Sequence, residues 1–264
     1  MQPSELYKVL EEQYFGESMH EKDEIERLPQ LLKGVSVFVD VGASLGQYSF
    51  FANRILRDSR IYCIEADPVR IRRLRELTRE WEKLSGNRID VIHAAAAEKD
   101  GKVDFFRTDA NVSGGLFMHD TGDAADRDAV QWTKFEVDCI TLDNLFEDVD
   151  PDLVKIDVEG SEYRVLTGAR RILKRGKCRF LVEVHPWGDE TVRKMPADVF
   201  RLFAEFGYDF RRTHRHWLFE KSSHSFRRLL KGKLIVVIME SAWLKSAAKN
   251  CALRLNASKK KPTS

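Results

Sequence analysis

Short apolar runs alternate with amphipathic stretches of helical period through most of this chain. Val35 to Val41 is rich in valine and phenylalanine, as expected of a strand buried on both faces of a parallel sheet. It stops at Gly42, and after Gly46 the positions Tyr48, Phe51, Ala52, Ile55 and Leu56 recur at helical spacing. Ile61 to Glu65 predicts a second strand, Pro68 opens an Arg- and Leu-rich helix to about Leu84, and Asp90 to Ala95 predicts a third strand. Leu153 to Val158 and Arg179 to Val184 predict two more, separated by a helix from Ser161 to about Leu173. A helix over Val192 to Phe206 closes at Gly207. Tyr208 to Thr213 and His216 to Glu220 then read as an antiparallel hairpin. This alternation predicts an α/β domain with a mainly parallel sheet and helices on both faces.

The flanks and one interior stretch depart from that rhythm. Residues 1–34 read as a helical lead-in in which the run from Glu24 stops at Pro29. Residues 35–220 form the main domain, with 101–140 inserted as a hairpin over the mouth of the sheet. Gly101 to Phe106 and Glu136 to Ile140 supply its strands, and the Ser113-Gly114-Gly115 loop and the acidic run Asp120 to Asp128 lie between them. Leu142 to Phe146 follows as a short helix capped by Thr141 or Asp143. Residues 221–264 form a basic extension.

With 43% hydrophobic residues in 264, the composition excludes a wholly disordered chain. The longest apolar run, Leu234 to Met239, falls far short of the roughly 18 residues that span a bilayer. No basic-then-apolar leader is present at the N-terminus. The cysteines, Cys63, Cys139, Cys178 and Cys251, are widely spaced, which predicts reduced thiols and a cytoplasmic setting. The net charge of +2 hides an asymmetry: from Arg211 onward there are 14 Lys and Arg against Glu220 and Glu240. A buried strand with a solvated rim is the plainest reading of this region. An anionic membrane surface at the inner face comes second, with Leu234 to Ile238 and Trp243 inserting, and nucleic acid, suggested by basic residues interleaved with aromatics, is a weaker partner.

The most informative loop is Asp40-Val41-Gly42-Ala43-Ser44-Leu45-Gly46-Gln47-Tyr48, at the first strand-to-helix turn, where open α/β sheets bind nucleotides. Gly42 and Gly46 are four apart, which does not match GxGxxG, and Asp40 occupies that pattern's first position. A carboxylate there repels a pyrophosphate and favours a ligand bearing an ammonium and a sulfonium. S-adenosylmethionine (SAM) carries both, and its carboxylate can use free N–H groups of Ser44 to Gly46. Glu65, 19 residues after Gly46, is the expected acceptor for ribose hydroxyls.

A second constellation breaks the rule for buried strands. In Val154-Lys155-Ile156-Asp157-Val158-Glu159, period two puts Lys155, Asp157 and Glu159 on one face. Lys155 must therefore pair with Asp157 or with a neighbouring strand. The next strand ends in Glu183-Val184-His185-Pro186. Either strand alone is explained by a structural ion pair and a histidine capping a turn; both together, beside the glycine loop, favour a site.

Five segments in this order resemble the FkbM-type methyltransferases: Val39 to Tyr48, Ile64-Glu65-Ala66-Asp67-Pro68, Ile140 to Leu145, Lys155 to Glu162, and Glu183 to Pro186. The likeness covers about residues 37–210, and Lys155-Ile156-Asp157-Val158-Glu159-Gly160-Ser161-Glu162 is its most specific part. It implies a Rossmann-like class I methyltransferase fold, a seven-stranded sheet with an antiparallel last strand, and SAM as cofactor. It also implies O-methylation of a sugar, glycan or secondary metabolite. The candidate cofactor residues are Asp40, Gly42, Ala43, Ser44, Gly46, Gln47, Tyr48, Glu65, Ala66 and, on the third strand, Ala94. There His93-Ala94-Ala95 replaces the family's Asn-x-Ala. The candidate catalytic residues are His185 and Asp157 as base, with Glu159 and Glu183 orienting base or acceptor. Asp157 and Glu159 offer hard oxygen ligands, but two are too few to predict a metal. A non-catalytic SAM-fold module that binds nucleic acid or membrane through its basic end is the alternative.

Overall fold

A computed structural model describes residues 22–108, 114–115, 132–185 and 196–221. Two short helices, α1 (Lys22–Ile25) and α2 (Leu28–Leu31), precede β1 (Val37–Val41). The expected stop at Pro29 is instead a start: the proline sits in the first turn of α2, where a missing N–H costs nothing. Then come α3 (Gln47–Ile55), β2 (Arg60–Glu65), α4 (Arg70–Ser85), β3 (Arg88–His93), β4 (Ala95–Ala96), β5 (Gly101–Thr108), β6 (Gly114–Gly115), β7 (Trp132–Ile140) and α5 (Leu142–Leu145). The chain continues through β8 (Leu153–Ile156), α6 (Glu162–Thr167), α7 (Arg170–Arg175), β9 (Arg179–Val182), α8 (Pro196–Glu205), β10 (Tyr208–Arg212) and β11 (Trp217–Lys221).

The main sheet is Rossmann-like, seven-stranded and mostly parallel, in the order β10-β11-β9-β8-β1-β2-β3. Strands β1, β2, β3, β8 and β9 are parallel; β11 returns antiparallel to both β9 and β10. The order reverses between β1 and β8, so the carboxyl ends of those two strands open the crevice where such sheets bind ligands. One core layer packs Phe38, Phe50, Leu74 and Trp81 on one face of the sheet; the other packs Val154, Ile156, Phe180, Phe200 and Phe203 on the opposite face.

Three elements differ from the sequence reading. The stretch 101–140 is more than a hairpin. Ala95–Ala96 leaves the end of β3 to pair with β7, and β5 and β6 complete a four-stranded sheet of order β4-β7-β5-β6. The acidic run Asp120 to Asp128 lies outside the described residues. The helix expected from Ser161 to Leu173 is broken into α6 and α7 at Gly168, where a Cβ would fall 2.0 Å from the Ala97 carbonyl oxygen. Asp143, once a possible cap for its own helix, instead accepts from the backbone N–H groups of Arg171 and Ile172 at the start of α7. Thr141 caps α5 by accepting from Asn144 N. The residues from 222 onward, with Leu234 to Met239, Trp243 and Cys251, lie outside the described residues, as do 186–195. No helix among the described residues is long and apolar enough to cross a membrane. Cys63, Cys139 and Cys178 are free and buried.

Candidate active site

The loop between β1 and α3 is fixed by two glycines. Gly42 has φ +76° and lies so close to β8 that a Cβ would stand 1.8 Å from the Asp157 carbonyl oxygen. Gly46 has φ +80°, and a Cβ would meet Leu74 at 2.6 Å and Trp81 at 2.9 Å. Only glycine fits either place without strain. Ser44 is held at φ +53°, a region costly to a residue with a side chain. Its N–H donates to Glu65 Oε2 at 2.6 Å, while Arg70 Nη1 donates to its Oγ at 3.0 Å. Glu65 Oε1 accepts from Asp67 N at 2.7 Å, and Asp67 is held in turn by Arg107 Nε from the second sheet, 3.1 Å away. Burial raises the Glu65 pKa above its ordinary value, although the N–H groups of Asp67 and Ser44 oppose the shift.

This corrects the expectation of free N–H groups from Ser44 to Gly46. The Ser44 amide serves Glu65, and the Gly46 amide donates to Ala43 O at 2.7 Å. Asp40 does not face the open cleft either. It is fully buried, accepts from Ser49 Oγ at 2.8 Å, and lies 3.4 Å from Lys155 Nζ. Ala43 packs into the core, Tyr48 turns under Lys155, and Ala94 is buried with its N–H on the Glu65 carbonyl. Ala66 offers its carbonyl to His93 Nε2 at 3.2 Å. Gln47 Nε2 and Asp40 Oδ1 are buried in the loop without a hydrogen bond. A leftover donor in this cradle, with the Glu65 carboxylate at the next strand end, fits an amphoteric nucleoside such as SAM.

The second constellation is built on β8 and β9. Lys155 is buried between Asp40 on the adjacent strand and Asp157 on its own, at 3.4 and 3.3 Å, so Asp40 is a partner across strands. Removing one partner of such a buried pair costs about 3–5 kcal/mol. Glu159 sits at φ +52° in the turn after β8. His185 is buried; its Nδ1 lies 2.8 Å from Glu162 Oε1 and donates to it, and its Nε2 faces Asp157 Oδ1 at 3.9 Å and Glu159 Oε2 at 3.6 Å. Burial works against charge on this ring, but the Glu162 hydrogen bond and the carboxylates of Glu162, Asp157 and Glu159 win and raise its pKa to about 9. The ring therefore carries a proton at neutral pH and must lose it from Nε2 before it can act as the base. Asp157 is held below the ordinary range, where burial is outweighed by the charges of Lys155 and His185; burial raises Glu159.

The structure brings Asp157, Glu159, Glu183 and His185 to one edge, and adds residues that the sequence reading gave no role. Glu162 orients His185. His216, at the head of β11, is fully buried beside Tyr48, with ring centroids 5.5 Å apart, and faces Glu183. Burial lowers its pKa to about 3, which keeps the ring neutral. Asp157, Glu183 and His216 each bring one ligand-type atom within 4.8 Å of the others, as do Asp157, Glu159 and His185.

Comparison with known proteins follows the same outline. A model of the methyltransferase FkbM domain matches residues 40–210. No curated protein matches the chain. Among solved structures, the FkbM methyltransferase of Methylobacillus flagellatus is 20% identical with a TM-score of 0.49; the match covers 78% of this chain and 46% of that one, so this chain spans under half of that protein's length. The precorrin-6y C5,15-methyltransferase of Geobacter metallireducens is 13% identical, with coverage of 76% and 87% and a TM-score of 0.43. The fibrillarin of Aeropyrum pernix, solved with bound SAM, is 15% identical, with coverage of 74% and 73% and a TM-score of 0.40.

Proposed function

Because the chain belongs to the FkbM methyltransferase family, we propose that it transfers the methyl group of SAM to a hydroxyl oxygen of a sugar, glycan or secondary-metabolite acceptor. The observation that carries this reading is the contact between the two halves of the crevice. Gly42 of the donor loop lies against the Asp157 backbone, and His185, Asp157 and Glu159 stand on the same edge. A donor in the loop and an acceptor over the histidine are then neighbours, and alignment supplies much of the rate in a displacement of this kind.

Bound SAM would supply a methyl group on a sulfonium, whose sulfur keeps the bonding electron pair as leaving group. The Glu65 carboxylate would accept from the ribose hydroxyls of the bound donor, and Gln47 Nε2 would donate to it. A hydroxyl is a weak nucleophile and needs its proton removed as the new C–O bond forms. His185 Nε2 takes that proton once the ring has lost its own, while Glu162 on Nδ1 fixes the tautomer and the ring plane. Asp157 and Glu159 steady the imidazolium that results.

The test is incubation of the full chain with methyl-labelled SAM and fractionated cell extract, with the labelled product identified by mass spectrometry and NMR. An O-methyl ether in the wild-type reaction is expected. His185→Gln should lower kcat by roughly 10²–10⁴ with SAM affinity by calorimetry unchanged. A labelled N- or C-methyl product, or an undiminished kcat in the variant, overturns the reading.

A further inference from the structure

The two ligand-type groups on this strand edge differ in what already occupies them. In Asp157, Glu159 and His185, the histidine ring is already hydrogen-bonded to Glu162. In Asp157, Glu183 and His216, the histidine is fully buried and neither ring nitrogen has a hydrogen-bond partner. Buried polar atoms are nearly always paired, so such a ring calls for an explanation.

Its geometry supplies one. One ring nitrogen, Nε2, faces Glu183 Oε2 at 3.9 Å. That is too long for a hydrogen bond, but donors sharing one ion at bonds of about 2.0–2.2 Å stand roughly 2.8–4.4 Å apart. The other, Nδ1, faces Glu24 Oε1 at 3.8 Å. Glu24 is fully buried on α1 and accepts from Thr213 Oγ1. A carboxylate behind the far nitrogen of a histidine is the usual outer support of a metal ligand.

We propose that Asp157, Glu183 and His216 bind one divalent transition-metal cation of the Mn²⁺ or Zn²⁺ kind, with Glu24 steadying the His216 ring from behind. Two carboxylates and an imidazole suit such a borderline ion better than Ca²⁺. Asp157 and Glu183 are only partly buried, which leaves the ion a path from solvent. Lys155 already holds Asp157 Oδ2 at 3.3 Å and shares that carboxylate with the ion. On the methyl-transfer reading, on which this last step alone rests, the ion polarises the acceptor's hydroxyl oxygen beside His185.

The experiment is a titration of the chelator-stripped full chain with MnCl₂, followed by loss of the free-ion EPR signal and by thermal shift, with SAM binding measured by calorimetry on the same samples. One tightly bound Mn²⁺ per chain is expected. His216→Phe, close in shape, should weaken it at least tenfold while SAM affinity holds. Glu183→Gln, on the open edge, repeats the test should the first variant fold poorly by circular dichroism. A wild-type chain that binds SAM but no Mn²⁺ or Zn²⁺ overturns the metal site and leaves the methyltransferase reading standing. So does Mn²⁺ affinity that neither variant alters. A chain that binds Mn²⁺ but no SAM supports the site and sinks the donor reading instead.

Discussion

Glu65 carries the sharpest pH consequence of any single side chain. Burial raises its pKa, in spite of the two backbone N–H donors on its oxygens. Only the ionised carboxylate offers all its lone pairs to ribose hydroxyls, so donor affinity should hold at neutral pH and weaken as pH falls through this raised range, above the ordinary glutamate value. For folding the sign is reversed: a carboxyl raised above its unfolded value favours the native state at low pH, and that contribution is lost as pH rises. Calorimetry with SAM between pH 5 and 7.5 checks the first statement; Glu65→Gln should bind weakly and without the pH dependence. That Glu65 stands beside the glycine loop was legible in the sequence, because strand end and loop stand at a fixed separation along one chain. His216 was not. Its neighbours in the site are Asp157 and Glu183, from the ends of two parallel strands, and Glu24, from the lead-in helices; the ring itself arrives just before the return strand, and nothing local to Arg215-His216-Trp217 marks it as buried.

At the scale of elements, what could be read was period and what could not was proximity. The five parallel strands and their helices followed from apolar spacing alone, to within a few residues at each end. The break between α6 and α7 did not, because its cause is the Ala97 carbonyl, 2.0 Å from where a Gly168 Cβ would sit. Ala97 follows β4, so this is the place where the end of the second sheet meets the break between α6 and α7. Gly168→Ala restores helix propensity yet forces backbone apart. The expected result is a net loss of about 1–3 kcal/mol of stability, seen as a lower midpoint in urea; an unchanged or higher midpoint would show that the contact yields freely. Ala95 of β4 reads in the sequence as the end of the third strand for a similar reason: the partner of β4, β7, lies some forty residues on.

Across the whole molecule, charge is divided as sharply as structure. The 14 basic residues from Arg211 onward follow a body that is acidic in balance. Such a distribution should draw the chain to anionic surfaces and leave neutral ones alone. Sedimentation of the full chain with anionic and with neutral phospholipid vesicles checks it: cosedimentation with the anionic kind alone, reversed by raised salt, is expected, and indifference to lipid charge would leave the region a solvated rim. Within the body, the donor loop and the acceptor edge do not stand as separate modules, since Gly42 rests directly on the Asp157 backbone. A shared floor of this sort transmits any shift on one side to the other. New acceptor preferences are therefore more cheaply reached by altering the walls of the crevice than by touching that junction, where one added methyl group would disturb both ligands at once.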